Sequence, residues 1–113
     1  MAAGTPASIA EAVEWLRKHF DPEAAGELRA GLQFHLTGPA GGSFHASIDA
    51  GRLVAAEGEL GKPDVSFRLS AADLFGILGG RENGELLFLA GRMDVEGNLT
   101  LALKLRLLFQ VSR

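Results

Sequence analysis

"LFLAGRMDVEGNLTLALKLRLLF" occupies residues 87–109, and its last eleven residues place a leucine at nearly every second position. The fold class turns on whether this tail is a strand or a helix. A strand would put Leu99, Leu101, Leu103, Leu105 and Leu107 on one face, with Thr100, Ala102, Lys104 and Arg106 on the other. A helix has its own start signal in Gly97-Asn98, because an asparagine at the N-cap accepts from a first-turn N–H. Leu, Ala, Lys and Arg are strong helix formers, and Thr100 is the sole β-branched residue in positions 99–110. With a step of about 100° per residue, Leu101, Ala102, Leu105, Leu108 and Phe109 form one broad face and Leu99, Leu103 and Leu107 line a second. A helix apolar on two sides needs two apolar surfaces to touch. One can be the chain's own sheet; the other must be a further helix, a subunit or an apolar ligand.

Upstream of this tail the hydrophobic period changes along the chain. "TPASIAEAVEWLRKHF" reads as an amphipathic helix, with Thr5 as cap, Pro6 in its first turn and Ser8 with Glu11 as an alternative capping box. Ile9, Val13, Leu16 and Phe20 share one face, beside Ala12. Asp21-Pro22 ends the helix, and "EAAGEL" adds a short helical turn. From Gly31 the period is 2: Leu32, Phe34 and Leu36, then Phe44, Ala46 and Ile48, then "LVAAEGEL", then Val65, Phe67 and Leu69. "GPAGG", "AGR" and "GKPD" read as the turns between them. Four consecutive strands, each with one wet face, predict an antiparallel meander. Ser70 then caps "AADLFGIL", "ELLFLA" follows as a second short helix, and "GRMDVEG" is a fifth strand. Segregated helices and strands of this kind predict an α+β fold: a five-stranded, mostly antiparallel sheet covered on one face by helices.

A chain of 113 residues suggests one domain over residues 1–113, its N-terminal helix at about 6–20 and its sheet and helices at about 30–110. The net charge of −3 gives no long-range pull toward nucleic acid. The absence of cysteine excludes disulfides, thiolate nucleophiles and cysteine-bound zinc. No stretch predicts a transmembrane segment, the first residues lack the pattern of a signal peptide, and "VSR" is not a peroxisomal address. A soluble cytoplasmic protein is the expectation.

The segments "PDVSFRLSAADLFGILGG" and "FLAGRMDVEGNLTLALKL" resemble the sterol carrier protein type 2 domain family. The family pattern runs from a strand into a Ser-x-x-Asp helix, then to a Gly with a basic residue, an apolar–polar alternation, and a Gly-Asn or Gly-Asp before an apolar helix. It falls here on Ser70 to Asp73, Gly91-Arg92, Met93 to Val95, Gly97-Asn98 and Leu101 to Leu105, and the resemblance spans about residues 30–109. The chain looks like a small stand-alone member. The resemblance implies that the tail is helical and that an apolar tunnel runs between sheet and helices. It further implies a non-enzymatic lipid-binding or carrier domain for fatty acids, fatty acyl-CoA, phospholipids or sterol-like molecules, with no catalytic residue. Candidates to line the tunnel are Leu74, Ile77, Leu78, Leu87, Phe88, Met93, Leu101, Leu105, Leu108 and Phe109, which a dry core would explain equally well. Arg81, Arg92 and Lys104 flank these segments and are candidates to meet a lipid headgroup. Besides the long-chain lipid, a homodimer contact or a protein partner on the apolar C-terminal helix is the alternative use of the second face.

Other chemistry finds little support. His35 and His45 fall on the polar face of neighbouring strands, but no third ligand stands at a recognisable spacing, so no metal is expected. Asp49, Glu57, Glu59, Asp94 and Glu96 sit near turns or on alternating positions, where solvated roles are the common outcome. The chain has no tyrosine to serve as an oxyanion donor. The glycine clusters "GPAGG" and "GGRENG" fit neither phosphate-loop spacing. No cofactor is expected.

Overall fold

The computed structural model describes residues 6–109. Thr5, expected as a cap of the first helix, lies outside them. Ser8 fills that role: its Oγ accepts from the Glu11 N–H at 3.1 Å, while Glu11 Oε1 accepts from the Ala7 N–H at 2.8 Å. Helix α1 therefore spans Ile9–His19, and Pro6 precedes it instead of lying in its first turn. Ala12, Val13 and Leu16 are buried as the spacing predicts; Trp15 is buried too, with its ring stacked on His19 at 3.9 Å. The Asp21 carboxylate caps α2 (Pro22–Ala25) by accepting from the N–H groups of Glu23 and Ala24.

Strands β1 (Arg29–Thr37), β2 (Gly42–Asp49) and β3 (Arg52–Glu57) form two successive antiparallel pairs. The β2–β3 turn has positive φ at both central residues, Ala50 (49°) and Gly51 (89°), the geometry whose twist matches the flanking strands. The next strand, β4 (Val65–Ser70), corrects the expected meander. It does not pair with β3 but runs parallel to β1, with Phe34 opposite Phe67, and β5 (Met93–Gly97) pairs antiparallel to it. The order is β3-β2-β1-β4-β5, a five-stranded mixed sheet that is mostly antiparallel. Alternation in "VSFRLS" fixes which side chains face the core, but not which strand lies alongside. The neighbour is set by residues 58–64, which pass across the outer face of β2 and β1.

One buried amide holds that crossing segment. Gln33 projects from the outer face of β1, yet it is 1% exposed. Its Nε2 donates to the carbonyls of Phe44 and Gly58, both at 3.1 Å, and its Oε1 accepts from the Leu60 N–H at 2.7 Å. Further along, the Asp64 carboxylate accepts from the Gly31 N–H at 2.7 Å. A polar residue at an outward position is buried here because the chain folds over it, and apart from a longer contact of 3.4 Å to the Phe34 carbonyl of its own strand, its hydrogen bonds tie β1 to β2 or to the crossover.

The inner face carries the core. Phe44, Phe34, Phe67 and Val95 form one row across β2, β1, β4 and β5. Phe34 stacks on Phe44 at 4.6 Å and on Phe67 at 5.1 Å between ring centroids. Burying each such ring contributes roughly 2–3 kcal/mol, so this row anchors the sheet to the layer above it. That layer is helical: α1 lies against β3 and β2, and α3 (Ala71–Leu78) against β4 and β1. Toward the other edge, α4 (Gly84–Leu89) lies against β5, and α5 (Leu99–Leu103) against β4 and β5.

The tail quoted at the outset is helical, and its leucine alternation is not a strand. Asn98 Oδ1 accepts from the Leu101 N–H at 2.9 Å, as expected of the N-cap. It is not one continuous helix, however. The chain bends at Lys104 (φ −84°, ψ −7°) and resumes as α6 (Leu105–Leu108). The bend brings the Leu108 carbonyl to the Asp21 N–H at 2.8 Å and Phe109 against Phe20, with ring centroids 5.7 Å apart. Docking against the α1–α2 junction thus overrides the helix propensity of the segment.

Candidate functional site

Helices α3 to α6 and strand β5 gather most of the residues expected to line a tunnel. Three asparagine or serine caps start the helices where they do. Ser70 Oγ accepts from the Asp73 N–H at 3.0 Å, Asn83 Oδ1 from the N–H groups of Glu85 and Leu86, and Asn98 Oδ1 from Leu101. Leu74 and Leu78 on α3, Leu87 on α4, Leu101 on α5, and Leu108 and Phe109 are buried. Ile77, Met93 and Leu105 are half-buried against the core. Phe88 is 44% exposed. Val95, not among the expected residues, shares the inner face with Met93 and is likewise half-buried. Its signal was the same period-2 alternation in "MDVEG" that marks Met93.

Two contacts fix the position of β5 and α5. The Gly97–Asn98 step meets the segment before β4: the Asn98 N–H donates to the Asp64 carbonyl at 2.9 Å, and Gly97 has φ 102°. The Arg92 guanidinium donates to Asp73 Oδ1 at 2.6 Å, joining the first turn of α3 to the turn between α4 and β5. The Asp73 side chain is 11% exposed and that of Arg92 is 56% exposed, so the pair sits at the rim of the core. Arg92 is thereby engaged within the fold, whereas Arg81 and Lys104 are exposed and make no ion pair among the described residues.

The opposite face of the sheet offers a different surface. A cleft of about 390 Å³ is lined by His35, Ser66, Arg68, Asp94 and Glu96, with Phe88 and the Phe67 and Val95 positions at its border. His35 and His45 do not converge. His35 Nδ1 lies 3.1 Å from Ser43 Oγ, and His45 Nδ1 lies 3.2 Å from the Gly58 carbonyl. Among the described residues, no group of three or more histidines and carboxylates could hold a metal ion. Nor is any described helix long and apolar enough to cross a membrane.

Solved structures similar to this one include an alkylsulfatase and sterol carrier proteins. The stereoselective inverting sec-alkylsulfatase Pisa1 from Pseudomonas sp. matches with a TM-score of 0.78 at 15% identity, over 91% of this chain and 16% of that one. The chain thus spans about a sixth of the alkylsulfatase it matches, so the same fold recurs as one part of a larger enzyme. The palmitated SCP2L2 from Aedes aegypti matches with a TM-score of 0.65 at 21% identity, over 86% of both chains. The sterol carrier protein domain 2 of Helicoverpa armigera matches with a TM-score of 0.54 at 30% identity, over 70% of this chain and 65% of that one. No curated protein matches in sequence. A family model described as the SCP-2 sterol transfer family matches residues 13–110, from the buried face of α1 through the Gly97–Asn98 turn to the end of the bent tail. The chain belongs to the SCP-2 sterol transfer family.

Proposed function

We propose that this chain is a non-enzymatic lipid-binding or lipid-carrier module that holds a long-chain lipid in an apolar tunnel between the sheet and helices α3 to α6. One observation carries the reading: the cover of β5 is unfinished. Met93 and Val95 face the helix layer but are half-buried. On α4, which lies against β5, Leu86, Phe88 and Leu89 are 44–78% exposed. Leu99, Leu103 and Leu107 on the outward side of the tail and Val54 on the outer face of the sheet are the other large apolar side chains left as open among the described residues. Family membership and the palmitated relative support a lipid as the missing cover.

Each methylene withdrawn from water contributes roughly 0.8 kcal/mol, so a long acyl chain binds usefully with few polar contacts. Fatty acid, fatty acyl-CoA, phospholipid and sterol-like ligands all fit that requirement. Of the three headgroup candidates, Arg81 and Lys104 make no ion pair among the described residues, and Arg92 would meet a carboxylate or phosphate only by sharing Asp73. The ten lining residues expected from the sequence remain the candidates, with Val95 added. A single unit over residues 1–113 acting in the cytoplasm belongs to the same proposal.

Delipidated protein incubated with palmitate should show a one-to-one adduct in native mass spectrometry, and the same protein as first purified should release long-chain lipid on organic extraction. Failure to load palmitate, a phospholipid or a sterol would overturn the reading. The exposed leucines also favour a second one, a dimerisation or protein-interaction module. A dimer whose mass is indifferent to added lipid would support that instead.

A further inference from the structure

The sheet ends in two edge strands, β3 and β5, and each has a row of backbone N–H and C=O groups that no strand among the described residues takes up. At β5 the side chains protect that row. The strand is five residues long and carries Asp94 and Glu96, so a second β5 laid against it would meet like charge. Strand β3 lacks this protection, because Leu53, Val54, Ala55 and Ala56 in its middle are uncharged and Val54 is 64% exposed. The two-residue turn at Ala50–Gly51 fixes which of its groups look outward. Asp49 and Arg52 close the turn as a hydrogen-bonded pair, and in the same phase the Gly58 N–H donates to the Ser43 carbonyl at 2.9 Å. Leu53, Ala55 and Glu57 therefore turn their N–H and C=O away from β2. The Ala55 carbonyl is met from outside the sheet: Arg17 on α1 donates to it from Nη2 at 2.6 Å, and its Nη1 ion-pairs with Glu14 one turn earlier. With α1 packed over the strand, Ala55 is 1% exposed.

We infer that Arg17 guards the β3 edge against a second copy of this chain. The guanidinium stands where the N–H of an added strand would have to reach Ala55, and displacing it lets two copies join β3 to β3 in one continuous sheet. A second copy is the occupant this strand fits. Antiparallel pairing about a two-fold axis at Val54 sets Leu53 of each copy opposite Ala55 of the other, as pairs that exchange N–H···O bonds. The same register brings the two Val54 side chains together on the outer face, at the closely spaced position between those pairs. It also lays the Arg52 end of one strand alongside the Glu57 end of the other. Charge does not hold the copies apart. Helix α1 and β3 together carry Glu11, Glu14 and Glu57 against Arg17, Lys18 and Arg52, and Asp49 on the neighbouring strand β2 is paired with Arg29. The edge is thus closed by one hydrogen bond from a side chain that is 49% exposed, a barrier that a single substitution removes. Nothing in this inference depends on the carrier reading.

The test is sedimentation of the full chain and of R17A at rising concentration, with amide exchange as the readout of place. R17A should self-associate about tenfold more tightly than the parent, the gain coming from the two Leu53–Ala55 pairs. Its Leu53 amide should exchange more slowly as concentration rises, while that of the parent should not change. E14Q keeps the arginine but removes the carboxylate that holds it, so it should show the same change to a smaller degree, and it serves should R17A fold poorly. R17A with V54K should return to the association of the parent, because two-fold pairing would set the two lysines face to face. Arg17 and Val54 are both about half exposed or more, so the thermal midpoints should stay near that of the parent. Association of R17A and E14Q no tighter than that of the parent would overturn the guard. An R17A dimer that survives V54K, or that leaves the Leu53 amide unprotected, would overturn it as well, by placing the contact elsewhere, for example on the exposed leucines of the tail. So would a parent chain that already pairs through Leu53.

Discussion

Gly97→Ala is expected to destabilise the fold by about 3–4 kcal/mol, near the upper end of what a single substitution does. Two separate causes add. Gly97 has φ 102°, a region that a side chain enters only with strain. A Cβ there would also lie 2.4 Å from the Asp64 carbonyl oxygen and 3.1 Å from the Val65 Cα, both of them backbone atoms that no rotamer change can move. Relief requires parting β5 from the start of β4, the place where the Asn98 N–H donates to Asp64 and where α5 begins. Urea unfolding of the alanine variant should show the whole loss as a lower midpoint. A change below about 1 kcal/mol would mean that the β4–β5 closure is not the fixed point described here.

The second large effect is expected at Gln33. Gln33→Met keeps the length of the side chain and removes its polar end, which leaves the Leu60 N–H without its acceptor, while the Gly58 carbonyl keeps His45 Nδ1 at 3.2 Å. An unsatisfied group of this kind costs about 1–3 kcal/mol, so the variant should lose about 2 kcal/mol. The injury should be local in a predictable way. Amide exchange in residues 58–64 should accelerate more than exchange in the β1–β2 ladder, because the crossover loses its tie while the strands keep theirs. Equal acceleration across the sheet would show that Gln33 does not pin the crossover.

Gln33 also explains what the sequence concealed. Leu32, Phe34 and Leu36 alternate with Gln33 and His35, and the alternation gives the inner face of β1 correctly. Nothing in that pattern shows that residues 58–64 will fold back over Gln33, so a glutamine destined for full burial reads as a wet residue. The parallel β1–β4 pair was hidden for the same reason. A run such as "VSFRLS" has the same period beside either neighbour, and the choice is made by a connection whose path depends on tertiary contacts. Local chemistry was more legible. Ser8, Ser70 and Asn98 cap helices where the sequence places caps, and the two faces of the tail divide as the helical step predicts. Leu101, Leu108 and Phe109 are buried, while Leu99, Leu103 and Leu107 face outward. The bend at Lys104 was not legible, since it follows from docking against Phe20 and Asp21, residues more than eighty positions away in the chain.

The ligand site was legible only as a set of apolar residues. Leu74, Leu78, Leu101 and Leu108 are what a packed core would use and what an acyl chain would touch, and periodicity cannot separate the two. Ile77, Met93, Val95 and Leu105 are half-buried, a state that Ile9, Phe20, Leu28 and Leu53 share elsewhere in the fold, so burial alone does not separate the two uses either.

The proposed carrier role requires a long-chain lipid to lie between the sheet and helices α3 to α6. Its most direct test is an isotope-filtered nuclear Overhauser measurement on protein loaded with ¹³C-labelled palmitate. Contacts are expected from the acyl chain to the methyl groups of Ile77, Met93, Val95 and Leu105, with none to Val54 on the far side of the sheet. Acyl contacts confined to Leu99, Leu103 and Leu107, or to the outer-face cleft beside His35 and Arg68, would contradict it.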